Sequence, residues 1–147
     1  MHEIQSFDVK PIAAATPRSS LTFQGRATDC EVDGSILERQ YSVGDRYLLL
    51  LTEGTPHEEG LHLYLLTSEF QLLDQLELGA AYAPGILNNV ASPGPRTLMF
   101  TFFAAETWKL KVLESPRWGL NLPFRQPIRR PVGLPSRRWL MLERLDD

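Results

Sequence analysis

The chain has 147 residues and a formal net charge of −3, and 43% of its residues are hydrophobic against 22% charged. This size and balance are typical of one globular domain, and they exclude a chain that is disordered throughout. The longest unbroken apolar run, YLLLL at 47–51, is far shorter than the roughly 20 residues of a membrane-spanning helix, so we expect no membrane insertion.

The first residues, MHEIQSFDVKPIAAATP, show no positively charged stretch followed by an apolar one, which predicts a cytoplasmic protein without a secretory signal. A lone cysteine, Cys30, cannot form an internal disulfide. It lies in the acidic, turn-prone stretch ATDCEVDG, where neighbouring carboxylates should raise the pKa of its thiol. We therefore expect a structural thiol and not an activated nucleophile.

Hydrophobicity alternates with a period of two along most of the chain. LHLYLLTS, for example, places three leucines on one side of a strand and His62 and Tyr64 on the other, which predicts a half-buried strand. Ten segments have a comparable character: EIQSFDV, SLTFQG, ILERQYSV, DRYLLLLT, LHLYLLTS, FQLLDQLELG, GILNNVAS, RTLMFTFFA, TWKLKVLE and SRRWLMLERL. Turn signals rich in glycine and proline separate them. The pattern predicts a single all-β domain over residues 1–147, an antiparallel sandwich or flattened barrel of about eight to ten strands.

One segment, SEFQLLDQLEL, is ambiguous. Phe70, Leu73 and Leu76 would form the stripe of a short helix, whereas Leu76 and Leu78 on either side of Glu77 fit a strand that ends at Gly79. We favour the strand.

The amino-acid composition changes between residues 116 and 135, where five prolines occur in twenty residues. A regular strand ladder does not tolerate so many missing N–H donors. The apolar residues between the prolines predict an extended surface arm that packs on the body and crosses over within the same domain.

Charge is unevenly distributed along the chain. Residues 29–79 contain eleven acids and two arginines, a formal charge of −9, whereas residues 116–147 contain seven arginines and three acids, a charge of +4. The favoured interpretation is that the arginine-rich arm docks on the acidic half of its own fold. Alternatively, the acidic half stays exposed and steers a basic partner.

A third interpretation makes the arm a nucleic-acid contact. Its phosphate contacts would be Arg129, Arg130, Arg137 and Arg138, and its stacking platforms would be Trp118, Phe124 or Trp139. The acidic isoelectric point, near 5.6, argues against it, so we do not expect nucleic acid as a partner.

The stretch TPHEEGLH, at 55–62, holds two of the three histidines. Zinc peptidases place two histidines at i and i+4 on one helix face, but His57 and His62 are five residues apart, about 140° around a helix. Gly60 further disfavours a helix. The sequence instead predicts a polar hairpin connection, with Pro56 fixing the turn and His62 on the solvent face of the next strand. We expect no metal and no cofactor.

No sequence pattern assigns a catalytic residue. The chain contains no G-x-S-x-G nucleophile elbow, no G-x-G-x-x-G dinucleotide fingerprint and no Walker-type phosphate loop. Pairs of carboxylates could be chosen from the acidic segment, but any acidic segment supplies them.

The functional prediction is a non-enzymatic protein-binding or accessory protein, of the inhibitor or immunity type, that presents an acidic face to a basic partner. The predicted contact residues are Glu53, His57, Glu58, Glu59, Asp74 and Glu77. The alternative is a small-molecule-binding barrel or minor hydrolase with a pocket near the His57–His62 turn, lined by Trp108 and Tyr82. Self-association through an open sheet edge is left open in either case.

Overall fold

The structure is a computed structural model. It describes residues 1–54, 60–79, 86–103, 106–119, 128–130 and 136–145. All regular structure in these ranges is β-strand, and every strand pair is antiparallel. The prediction of an all-β antiparallel sandwich is confirmed.

The described residues form thirteen strands, more than the eight to ten expected. In chain order they are β1 (His2–Glu3), β2 (Phe7–Ile12), β3 (Arg18–Phe23), β4 (Arg26–Asp33), β5 (Ile36–Val43), β6 (Arg46–Thr52), β7 (Leu61–Leu66), β8 (Leu72–Leu78), β9 (Asn88–Gly94), β10 (Thr97–Thr101), β11 (Thr107–Gly119), β12 (Ile128–Arg129) and β13 (Ser136–Leu145). The ambiguous segment is strand β8, as favoured.

These strands make three sheets. The central sheet has the order β1-β5-β6-β7-β8-β12. The N-terminal sheet is the meander β2-β3-β4, and the C-terminal sheet has the order β13-β11-β10-β9. Most neighbours are consecutive in the chain, as expected of hairpin connections between antiparallel strands.

The central sheet is packed on both faces, because alternate residues of β6 and β7 enter two different cores. Leu48 and Leu50 lie in a core shared with Phe100, Trp108 and other side chains of the C-terminal sheet. Leu49 and Leu51 lie in a second core with side chains of the N-terminal sheet. A leucine run suits such a strand, since neither face meets water. The architecture is therefore three layers with two cores.

This second core overturns one expectation about β7. The alternation in LHLYLLTS predicted a half-buried strand, yet all six residues Leu61–Leu66 are buried. The N-terminal sheet covers the face that carries Tyr64 and Leu66, so that face does not reach solvent.

Two details of the strands were not predicted. The acidic stretch around Cys30 is strand β4, whose pairing with β3 shifts register between Ser20 and Thr22, and Asp29 there has φ 59°. Strand β11 continues through Pro116 to Gly119, with an irregular register between Val112 and Arg117. The proline thus lies where the ladder is interrupted, as its missing N–H requires.

Candidate partner-binding site

Glu53, His62 and Glu77 come together at one end of the central sheet, and we call these three residues the acidic end. His62 Nε2 lies 2.9 Å from Glu53 Oε1, so the ring N–H donates to the carboxylate. In the ladder between β7 and β8, His62 is the direct partner of Glu77. Directly opposite residues share one face of a sheet, so the histidine stands between two carboxylates.

The burial of His62 corrects the prediction that it lies on a solvent face. Its side chain is only 3% exposed, against 25% for Glu53. Its second ring nitrogen, Nδ1, is buried and has no hydrogen-bond partner within the described chain. The ring is covered because the face of β7 that carries it is the one that the N-terminal sheet packs against.

Glu77 is already occupied by a guanidinium. Arg129 Nη2 on β12 lies 2.9 Å from Glu77 Oε2, and the carboxylate side chain is 24% exposed. Strand β12 reaches this position by pairing with β8, with Arg129 opposite Glu77. The site therefore accepts an arginine side chain in the geometry of an ordinary surface ion pair.

Asp74, predicted to contact a partner, does not belong to the acidic end. Its carboxylate is only 3% exposed and lies on the other face of β8. It accepts two bonds from Arg130 Nη1, at 2.7 and 2.6 Å, and the backbone N–H groups of Trp139 and Leu140 donate to it at 2.9 Å each. Asp74 thus links the central sheet to the C-terminal sheet, and its buried oxygens are not available to another protein.

The same contacts confirm the favoured interpretation of the charge distribution. Arg129 and Arg130 of the arginine-rich arm pair with Glu77 and Asp74, respectively, of the acidic half. Arg130 also donates to the Leu140 carbonyl. The nucleic-acid interpretation predicted that Arg129 and Arg130 contact phosphates, but both form ion pairs within the protein.

The proposed stacking residues are in different environments. Trp118 is 67% exposed, and the Arg137 guanidinium carbon lies 5.2 Å from its ring centroid. Trp139 is half-buried, with Arg46 at 4.1 Å over its ring. Phe124 lies outside the described residues, as do three predicted contact residues, His57, Glu58 and Glu59.

A second polar network links the central sheet to the N-terminal sheet. The Asp33 N–H and the Gln75 side-chain amide both donate to the Tyr64 hydroxyl, at 2.7 and 2.9 Å. Arg18 in turn donates to the Asp33 carboxylate at 2.7 Å. Burial, more than any neighbouring charge, raises the pKa of the Tyr64 phenol well above its ordinary value.

Most of these pairings could not be predicted from the sequence. The pairing of Glu53 with His62 depends on the β6–β7 register. The pairing of Arg129 with Glu77 depends on the register between β12 and β8. Only the opposite charges of the two segments pointed to the second contact.

Other predicted features can also be placed. Burial, ahead of the Glu31 charge, raises the pKa of the Cys30 thiol, so the predicted direction is confirmed with a different main cause. Trp108, assigned to a pocket in the alternative hypothesis, is buried in the core with the C-terminal sheet. Tyr82 lies outside the described residues.

Within the described ranges, no group of three or more histidine, cysteine, aspartate or glutamate residues is placed to hold a metal ion. The same ranges include no helix with the length and hydropathy that a bilayer crossing requires. Comparisons with protein-family models, with curated proteins and with solved structures found no match to this chain.

Proposed function

We propose that the chain is a non-enzymatic protein-binding protein, an accessory or inhibitor protein of the immunity type, that engages a basic surface of its partner through the acidic end. One observation carries the proposal: Glu53 and Glu77 are held on one face, on either side of His62, while both remain partly exposed. Carboxylates fixed in this way are preorganised for a cation, which lowers the cost of ordering them on binding.

The ion pair between Arg129 and Glu77 supports this choice of partner chemistry. The carboxylate accepts a guanidinium from β12 at 2.9 Å, so an arginine from another protein can meet the same acceptor geometry. The Arg129 side chain is 44% exposed, and an exposed pair of this kind contributes only about 0–1 kcal/mol. A partner can therefore displace Arg129 from Glu77 at a small cost in free energy.

The acidic end is followed in sequence by a charged segment. The residues between Gly54 and Gly60 include Glu58 and Glu59, which adjoin the acidic end in sequence. Added negative charge in the same part of the chain raises the association rate with a basic partner and makes that rate sensitive to salt.

A binding role also accounts for His62 better than a catalytic one. A general base must reach the proton that it removes, within hydrogen-bond distance or through one water. The His62 side chain is 3% exposed and its Nδ1 is buried, so substrate would not reach the ring without separation of the sheets. We assign the histidine to positioning Glu53. We place this function in the cytoplasm, where a single reduced cysteine persists.

The test is an affinity capture from lysate of the native host with the full chain as bait, at low and at high salt. Glu58→Lys with Glu59→Lys reverses two charges in the segment that follows Glu53 in sequence. Asp8→Lys with Glu143→Lys makes the same change of net charge at two exposed positions elsewhere. We expect a protein that the parent and the control variant retain, and that high salt or the first variant releases. Equal retention by both variants would contradict the proposal.

A further inference from the structure

An open cleft of about 500 Å³ lies away from the acidic end, beside the hairpin of β3 and β4. It is lined by Phe23, Gln24, Arg26, Ala27, Thr28 and Phe70. The volume is within the range of small-molecule sites, roughly 300–1,000 Å³. Phe23 and Phe70 pack in the cluster that contains Tyr47 at the start of β6, whereas Glu53 follows the end of that strand. The two sites are thus separated by about six residues of extended chain, roughly 20 Å.

The apolar wall of the cleft is an aromatic cluster that is only partly covered. The Phe23 and Phe70 ring centroids lie 5.0 Å apart, and Tyr47 lies 5.3 Å from Phe23 and 6.0 Å from Phe70. Phe7 closes the cluster on its buried side, at 4.8 Å from Phe23. The other three rings are half-buried, so ring surface remains open to a flat apolar ligand.

Phe70 adopts a backbone conformation that is unusual for its side chain. Its φ is 66°, in the left-handed region that bulky residues avoid. The turn around it is closely tied: the Phe70 N–H donates to the Thr67 carbonyl at 2.9 Å, and the Thr67 hydroxyl accepts from the Glu69 and Gln71 N–H groups at 3.2 and 3.1 Å. Strain of this kind persists where the surroundings enforce it, and it clusters at ligand sites.

The polar wall provides one cation. Arg26 is exposed and stands directly opposite Phe23 in the β3–β4 ladder, so its guanidinium and the aromatic wall are on the same side of the hairpin. The Arg26 side chain makes no hydrogen bond or ion pair with any other residue of the described ranges, whereas that of Arg18, on the neighbouring strand, is paired with Asp33. An unpaired planar guanidinium beside open aromatic surface matches a carboxylate attached to a ring.

We propose that this cleft binds a small aromatic carboxylate. The ring of the ligand packs on Phe23 and Phe70, and its carboxylate accepts hydrogen bonds from Arg26. The proposal is independent of the acidic end, which differs in location, charge and class of partner.

Three probes separate the contributions of ring and charge: 3-phenylpropionate, 3-phenylpropionamide and propionate. Each is titrated into the full-length, ¹⁵N-labelled chain, and amide chemical shifts report the site. We expect saturable shifts at Phe23, Gln24, Arg26, Thr28 and Phe70, with a dissociation constant of about 1 mM for 3-phenylpropionate. The uncharged amide should bind about fivefold more weakly, and propionate more weakly still.

Two variants test the two walls, with one control. Arg26→Gln should abolish the preference for the carboxylate over the amide, whereas Lys10→Gln, which removes an exposed cation from β2, should leave it unchanged. Phe70→Asn removes the ring while keeping a residue that tolerates the left-handed conformation, and it should weaken binding of both aromatic probes. The proposal fails if no probe saturates, if ring and charge make no difference, or if Arg26→Gln binds like the parent.

Discussion

Asp74 shows how a single buried carboxylate connects two sheets. Its oxygens accept bonds from Arg130 and from the Trp139 and Leu140 N–H groups, and the pair is nearly excluded from water. Removing one partner of a buried ion pair leaves an uncompensated charge. The sequence pointed to acid and arginine segments of opposite sign, but burial of one pair and exposure of the other depend on which face of β8 each acid occupies.

We predict that Asp74→Asn lowers the free energy of unfolding by about 3–5 kcal/mol, because the Arg130 charge remains buried without its counter-ion. Glu77→Gln is the matched control, since it removes the exposed pair with Arg129 and should cost only about 0–1 kcal/mol. Urea denaturation of both variants measures the difference. Similar losses would show that the two ion pairs do not differ in the way their burial implies.

Tyr64 gives a prediction about pH. Burial raises the pKa of its phenol above the ordinary value of 10.0, so above about pH 10 the unfolded chain loses this proton while the folded chain keeps it. Stability therefore falls as pH rises through this range. We expect Tyr64→Phe to lose less unfolding free energy than the parent between about pH 8 and pH 11, as measured by urea denaturation. Equal losses in the two proteins would exclude Tyr64 as a source of the alkaline effect.

At the scale of the element, the positions of most strands were predicted correctly, but the burial of their two faces was not. Alternation identified ten of the segments. It gave no sign that the polar residues of β7 would be covered, because the partners of His62 Nε2 and of the Tyr64 hydroxyl, Glu53 and Gln75, come from neighbouring strands and not from the same segment. β4 was missed since aspartate and glutamate are poor strand formers. Its acids and its bulge at Asp29 are devices that protect a sheet edge from unwanted pairing, and β4 is at such an edge.

Burial of β6 on both faces is testable with two neighbouring leucines. Leu49→Ala opens the core with the N-terminal sheet and Leu50→Ala opens the core with the C-terminal sheet, so each should cost about 2–5 kcal/mol. Ile36→Ala, at an exposed position on β5, should cost far less. If Leu49→Ala were as mild as Ile36→Ala in chemical denaturation, the second core would not be a packed one.

For the molecule as a whole, internal ion pairs engage part of the acidic half, and we propose that one end of that half binds a basic partner. Arg18, Arg129 and Arg130 bind Asp33, Glu77 and Asp74, respectively. The sequence predicted the fold class and the charge asymmetry. It could not predict the three layers, nor which acids remain available, because both follow from long-range pairing of strands.

The most direct measurement is a titration of the ¹⁵N-labelled chain with a tetra-arginine peptide, with amide chemical shifts mapped onto the structure. At low salt we expect the largest shifts at Glu53, Gly60, His62 and Glu77, and we expect them to disappear at about 0.5 M salt, where charges are screened within a few ångströms. Shifts centred instead on other exposed acids, such as Asp45, Glu114 or Glu143, would contradict the assignment of the binding surface to the acidic end.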